Sequence, residues 1–135
     1  MASTANKIGI VNSPAYTSNK FINDAAHVAY KTVIIDSTAR DSGNTPTTLL
    51  REGLVLGEIT AQNTWKEYNN SSSDGSEVAD LILFEQIDVV DASTNAAADC
   101  TGLCVYQARV ENGQLIGIDT PGRTDLAGRI VFDNV

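Results

Sequence analysis

From Val28 onward the chain is a series of short apolar runs, each closed by turn-forming residues before it reaches helical length. A turn signal recurs about every 8–15 residues, which leaves room for strands and little else. Thr32-Val33-Ile34-Ile35 is β-branched throughout and runs into a polar loop over residues 36–47. In residues 49–60 the apolar text is broken by Gly53 and Gly57. Glycine within a strand pattern marks a bulge, a bend or a close backbone approach. A short strand, a tight turn and a second strand over residues 55–60 are expected there.

Downstream, residues 65–68 form another short strand candidate and lead into a polar loop over residues 69–76 that ends at Asp74-Gly75. Leu81-Ile82-Leu83-Phe84 is apolar on both faces and belongs in a core. Residues 86–90 alternate at Ile87 and Val89, residues 92–99 are a small-residue link, and residues 103–110 resume as a strand with Leu103, Val105, Gln107 and Arg109 on one side. Residues 114–116 follow a turn at Asn112-Gly113. Thr120-Pro121-Gly122 reads as a turn, Thr124 as the cap of one helical turn over residues 125–129, and Ile130-Val131-Phe132 as the last strand. Together these predict a mainly β, mostly antiparallel, single compact domain of about eight short strands and at most one short helix.

Size and charge narrow the function. A chain of 135 residues builds one core without metals or disulfides. The formal net charge is -8, which opposes contact with nucleic acid or anionic membrane, so neither is expected as a partner. The charge is uneven. Glu67, Asp74, Glu77, Asp80, Glu85, Asp88, Asp91 and Asp99 fall in a stretch without Lys or Arg, whereas the first 31 residues carry Lys7, Lys20 and Lys31 against Asp24. No secretory signal or membrane span is read from the sequence, so synthesis in a cytosol is expected. Cys100 and Cys104 on one strand stand roughly 13 Å apart, too far to bridge, and are expected as free thiols.

Residues for chemistry are sparse. His27 has no nucleophile motif near it and reads as a surface or hinge residue. The spacing of Asp74, Glu77 and Asp80 lies in loop and strand text and reads as a solvated acidic edge. No phosphate loop, dinucleotide fingerprint or nucleophile elbow occurs, so no catalytic residue, cofactor or metal is assigned. Trp65 and Tyr68 face opposite sides of a strand, one toward a core and the other toward a possible contact surface.

Residues 1–25 are the least regular, rich in Ser, Asn, Ala and Thr, with Pro14 at a bend. They read either as a frayed terminus or as an arm that orders against a partner. Ile8-Gly9-Ile10-Val11 is the best local candidate for adding a strand to a partner's sheet, with Tyr16 and Phe21 as further apolar contacts. Residues 26–135 are expected to form the body.

The order Arg51-Glu52-Gly53-Leu54-Val55-Leu56-Gly57-Glu58-Ile59-Thr60, then Lys66-Glu67-Tyr68, Ser73-Asp74-Gly75-Ser76-Glu77-Val78-Ala79-Asp80-Leu81-Ile82-Leu83 and Ile87-Asp88-Val89 resembles the head decoration protein D family of tailed bacteriophages. An alanine-rich link at residues 96–98 and a strand at residues 103–110 follow in the same order, and the family's closing pattern returns at residues 126–130 with Arg129 splitting Gly128 from Ile130. The resemblance implies a β-clip-like body and a capsid decoration protein without catalytic residues. It implies a homotrimer at local threefold positions on the outer surface of an expanded phage head, stabilising the shell against packaged DNA. The partner it implies is the major capsid protein, reached by an N-terminal arm that is flexible when free. Ordering ten arm residues costs on the order of 10–20 kcal/mol of backbone entropy. Three arms acting together offset this through avidity of about 10²–10⁴-fold per linkage. The alternatives are another virion or tail accessory module and a nucleotide-hydrolysing enzyme of β-clip build.

Overall fold

A computed structural model describes residues 21–135. Its strands are β1 (Ala29–Ile35), β2 (Leu49–Leu50), β3 (Val55–Ile59), β4 (Thr64–Glu67), β5 (Leu81–Leu83), β6 (Ile87–Asp88), β7 (Val90–Asp91), β8 (Ala96–Ala97), β9 (Cys100–Glu111) and β10 (Ile130–Asp133). One α-helix, α1 (Thr120–Leu126), precedes β10, and a 3-10 turn (Asn112–Gln114) follows β9. The mainly β expectation holds.

The principal sheet runs β1-β4-β3-β5-β9-β10, and β1 also pairs with β9. Five strands therefore close on themselves as a small barrel, with β10 appended to the far half of β9. The closing pair is the parallel contact Ile35↔Trp65. β9 and β10 are also parallel, with Ile130 opposite Ala108. The barrel's other ladders, including the long β1/β9 pairing, are antiparallel.

Register sorts the side chains into two cores. Ile35 lies opposite Trp65, Leu56 opposite Leu81 and Leu83 opposite Cys104. With Val33 these form an inner cluster fed by all five barrel strands. Val55, Ile82 and Val105 occupy the outer face in one row. They pack with Phe21, Tyr68, Leu126 and Ile130, so α1, β10 and the first described residues cover half of the outer wall. Trp65 and Tyr68 do face opposite ways, but both are buried, one in each cluster. The Trp65 indole Nε1 donates to Asp80 at 2.9 Å.

Gly57 is buried because the loop before β5 crosses directly over it. A Cβ there would stand 2.6 Å from the Ser76 carbonyl oxygen and 2.7 Å from that of Val78. Gly53 instead takes φ +88 at the turn between β2 and β3. The two glycines thus mark a tight turn and a close approach, as their positions in strand text led one to expect.

Several local expectations are corrected. Residues 86–90 are not one strand: Ile87 and Asp88 pair with β2, while Val90 and Asp91 turn at Asn95 (φ 57) to pair with Ala97 and Ala96. Residues 92–99 thus contain strand β8. A bulge inserts Tyr106 opposite the Ala29/Tyr30 step of β1 and reverses the alternation of β9. Val105, Ala108 and Val110 therefore share the outer core, while Gln107 and Arg109 are exposed. Thr120-Pro121-Gly122 is the first turn of α1, not a preceding turn. Asp119 is the cap, accepting the Gly122 amide at 2.8 Å and the Tyr68 hydroxyl at 2.7 Å. Residues 127–129 lie past the helix, with Gly128 at φ +95.

Candidate interaction surface

The leading segment joins the body at Phe21. Its ring is 1% exposed and its carbonyl accepts the Glu111 amide at 2.8 Å. Ile22 bridges to Val110, and the Asn23 amide donates to the Arg109 carbonyl at 2.9 Å. Asn23 Nδ2 and Arg109 Nε both donate to Asp133 Oδ2, each at 2.8 Å. Arg109, and then Asn23, hold the Asp133 carboxyl below the usual carboxylate range. Phe21 was expected among the arm's contact residues. It is buried instead, because pairing with β9 carries its ring under the outer cluster, so among the described residues packing against the body starts at Phe21. Ile8, Gly9, Ile10, Val11 and Tyr16 lie outside the described residues.

Asp36, Glu58, Asp74, Glu77 and Asp80 line a groove of about 1060 Å³. Each has an internal partner. Burial raises the Asp36 carboxyl, but hydrogen bonds from Thr38 and Thr64 outweigh it and hold it low. Asp74 is held low by the Ser76 hydroxyl and amide, at 2.6 and 3.0 Å. Glu58 accepts from Asn63 at 3.0 Å, and Glu77 from the Gly75 amide at 2.8 Å. Asp80 accepts from Trp65, and from Arg129 at 3.2 Å. These carboxylates cap turns and tie loops, a structural use of most of the acidic edge read from the sequence. Among the described residues no group of three or more His, Cys, Asp or Glu is placed to hold a metal ion.

The reactive side chains are equally occupied. Cys100 and Cys104 are free thiols on β9. Burial pushes Cys104 up to about 12 and also raises Cys100, so neither is an activated thiolate at neutral pH. His27 stands on the surface and pairs with Asp24 at 2.8 Å. The Tyr68 hydroxyl is raised by burial and by Asp119.

The uncovered half of the barrel wall is the larger surprise. β1 is exposed at five of its seven positions. Tyr30 lies opposite Val105, Thr32 opposite Leu103 and Ile34 opposite Thr101, all facing outward. Phe84, half-buried against the outer cluster, borders this wall, edge-on to Tyr30 with ring centroids 4.8 Å apart. Tyr30 is 49% and Ile34 42% exposed. A sequence reading places these residues on a strand but cannot tell a covered outer wall from a bare one.

A strand-built barrel with partnered carboxylates, unactivated thiols and a bare apolar wall defines a small β module built to present surfaces. The family model of bacteriophage lambda head decoration protein D matches residues 10–125, and the chain belongs to that family. That family is structural rather than enzymatic, and membership associates the chain with the phage capsid as a head component. No curated protein matches the chain.

Proposed function

We propose that this chain decorates an expanded phage head from outside, as a homotrimer at local threefold positions, and stabilises the shell against the pressure of packaged DNA. The family match carries this reading, since it covers the body up to residue 125 and extends upstream of Phe21 to residue 10. The segment before Phe21 engages the major capsid protein, with Ile8, Gly9, Ile10, Val11 and Tyr16 as the contact residues, by adding a strand to a sheet edge of the shell. The placement of Phe21 supports a division of labour: pairing of residues 21–23 with β9 roots the segment, so tension on it is passed to the barrel. All 17 carboxylates lie after residue 20, while Lys7 and Lys20 lie before Phe21. The contact segment is thus the part of the chain that carries no acid. The made protein is placed in the host cytoplasm before it joins the virion.

Mixing the full chain with undecorated expanded heads and imaging them tests the reading. Density at the local threefold positions is expected with the full chain, and bare positions with a chain lacking residues 1–20. Equal decoration by the truncated chain overturns the contact assignment, and density elsewhere on the particle overturns the decoration reading.

A further inference from the structure

We propose that Asn112 is a site of self-modification, in which the backbone nitrogen of Gly113 attacks the Asn112 side-chain amide and water completes the exchange of that amide for a carboxylate. Hydroxide takes the Gly113 amide proton, and the nitrogen lone pair forms a bond to Asn112 Cγ. The Cγ–Nδ2 bond breaks, and Nδ2 leaves as ammonia with one proton taken from water. A five-membered imide remains. Water opens it at either carbonyl, giving aspartate at 112 or an isoaspartate whose chain runs on through the former side-chain carbon. Each event takes up one water, releases one ammonia and oxidises nothing. It adds one negative charge to the net charge of -8.

Asn112-Gly113 is the one Asn-Gly step in the chain, and Asp74-Gly75 the one Asp-Gly step. Both are open to imide formation in an unfolded chain, because glycine has no Cβ to obstruct attack on the preceding side chain. The fold treats them oppositely. The Gly75 amide donates to Glu77 Oε1 at 2.8 Å, and Asp74 Oδ1 accepts from the Ser76 amide and hydroxyl. A Cβ on Gly75 would run into the Glu58 carbonyl oxygen and stand 3.0 Å from the Thr60 nitrogen, so this loop is seated on backbone. Nucleophile and electrophile are both held there. Asn112-Gly113 instead lies in a single 3-10 turn with no side-chain cap and no buried residue. Gly113 is exposed, and nothing stands within 4 Å of its Cβ position. The Leu115 amide closes the turn on the Asn112 carbonyl at 3.2 Å, a bond of the weaker 3-10 kind. Turning the 112–113 peptide to bring its nitrogen to Cγ displaces no packed side chain, and such local openings are cheap. Arg123 Nη1 donates to Asn112 Oδ1 at 3.3 Å, the oxygen on which negative charge gathers during attack. The place matters as well. Glu111, one residue earlier, carries the rung to Phe21, so the extra backbone carbon of an isoaspartate falls between that rung and Leu115.

The test is to age the full chain, folded, between pH 7 and pH 9, then map its fragments by mass spectrometry and locate isoaspartate with a methyl-transfer assay specific for it. The fragment holding Asn112 is expected to exchange amide for carboxylate before any other, at a rate rising about tenfold per pH unit because hydroxide generates the nucleophile. Gly113→Ala should slow the exchange about tenfold or more by placing a Cβ beside the attacking nitrogen. Circular dichroism should show that variant folded, since the space around its Cβ is open. Isoaspartate at residue 74 is expected only in denaturant. Earlier exchange at other asparagines, equal rates in the wild type and Gly113→Ala, or isoaspartate forming at 74 in the folded chain as fast as at 112 would each overturn the assignment. None of these outcomes depends on capsid binding, so the decoration reading stands or falls separately.

Discussion

The carbonyl of Phe21 accepts the amide proton of Glu111 at 2.8 Å, which makes the first described residue an extra rung on the β9 ladder. The ring it carries is buried against the turn at Gly53, where a Cβ would lie 3.7 Å from Phe21 Cδ1. Two truncations must then behave differently. Removing residues 1–20 leaves this rung intact and should leave the melting temperature within a few degrees of the full chain. Removing residues 1–25 strips a core ring, and Phe21→Ala should reproduce the loss, at about 3–5 kcal/mol. Thermal melts of the three proteins check this, and equal melting temperatures would remove Phe21 from the core.

Gly57 offers a second test of how tightly the loop before β5 is seated. The Ser76 and Val78 carbonyl oxygens block its Cβ position, and both belong to backbone that has no side-chain rotamer to yield. Gly57→Ala should cost about 1–3 kcal/mol, the range of overpacking in a filled core. Gly113→Ala is the matched control, since nothing lies within 4 Å of its Cβ position. Chemical denaturation of both variants should show a lowered midpoint for the first alone.

Much of this architecture is legible in the sequence because its signals are local. β-branching marks Thr32-Val33-Ile34-Ile35, and strand alternation sends Val33 and Ile35 inward. Glycines in strand text mark the turn at Gly53 and the crossing at Gly57. The failures are places where a distant partner decides. The Tyr106 bulge exists only relative to β1, so the facing of Gln107 and Arg109 cannot be read from β9 alone. Residues 86–91 change partner from β2 to β8 in mid-run. The start of α1 had a usable local signal in Asp119 before Thr120-Pro121, but a Pro-Gly pair is also turn text, and the hydroxyl of Tyr68 helps fix the cap. Closure of the ring through Ile35 and Trp65 joins residues far apart in the chain and has no local signature.

Acid should weaken the ion pair between Asp41 and Arg51. Asp41 is 1% exposed, and Arg51 donates to it from Nε at 2.7 Å and from Nη2 at 2.9 Å. These bonds from Arg51 hold the Asp41 carboxyl below its ordinary value. A lowered native value means that the unfolded chain takes up the proton first as pH falls. The pair's stabilisation is therefore complete above the ordinary carboxylate value of about 4 and is lost as pH drops below it, through the lowered native value. Asp41→Asn should flatten the decline of stability with acid in that window and cost about 1–3 kcal/mol at neutral pH, because Arg51 loses a charged acceptor. Urea midpoints for both proteins from pH 7 to pH 3 check the sign. A variant whose midpoint falls as steeply as the wild type below pH 4 would take Asp41 out of the acid response.

The two thiols should report separately on the barrel. Cys104 is 0% exposed and sits in the inner cluster with Trp65 and Leu83, while Cys100 is half-buried at the start of β9. Only a thiolate attacks a disulfide reagent, so both exposure and ionisation limit the rate. For Cys100 burial, then the nearby Asp99 and Asp88, raise the thiol, and its labelling should be slow at neutral pH and accelerate beyond pH 9. Cys104 should label only when the barrel opens, because a reagent cannot reach it from outside and burial lifts its ionisation to about 12. A colorimetric disulfide reagent should therefore count one thiol in the folded protein and two in denaturant. Ile35→Ala, which removes one side of the closing strand pair, should speed the second labelling event by lowering the cost of opening. If Cys104 instead reacts as fast as Cys100 in the folded chain, the strands do not close into a ring around it.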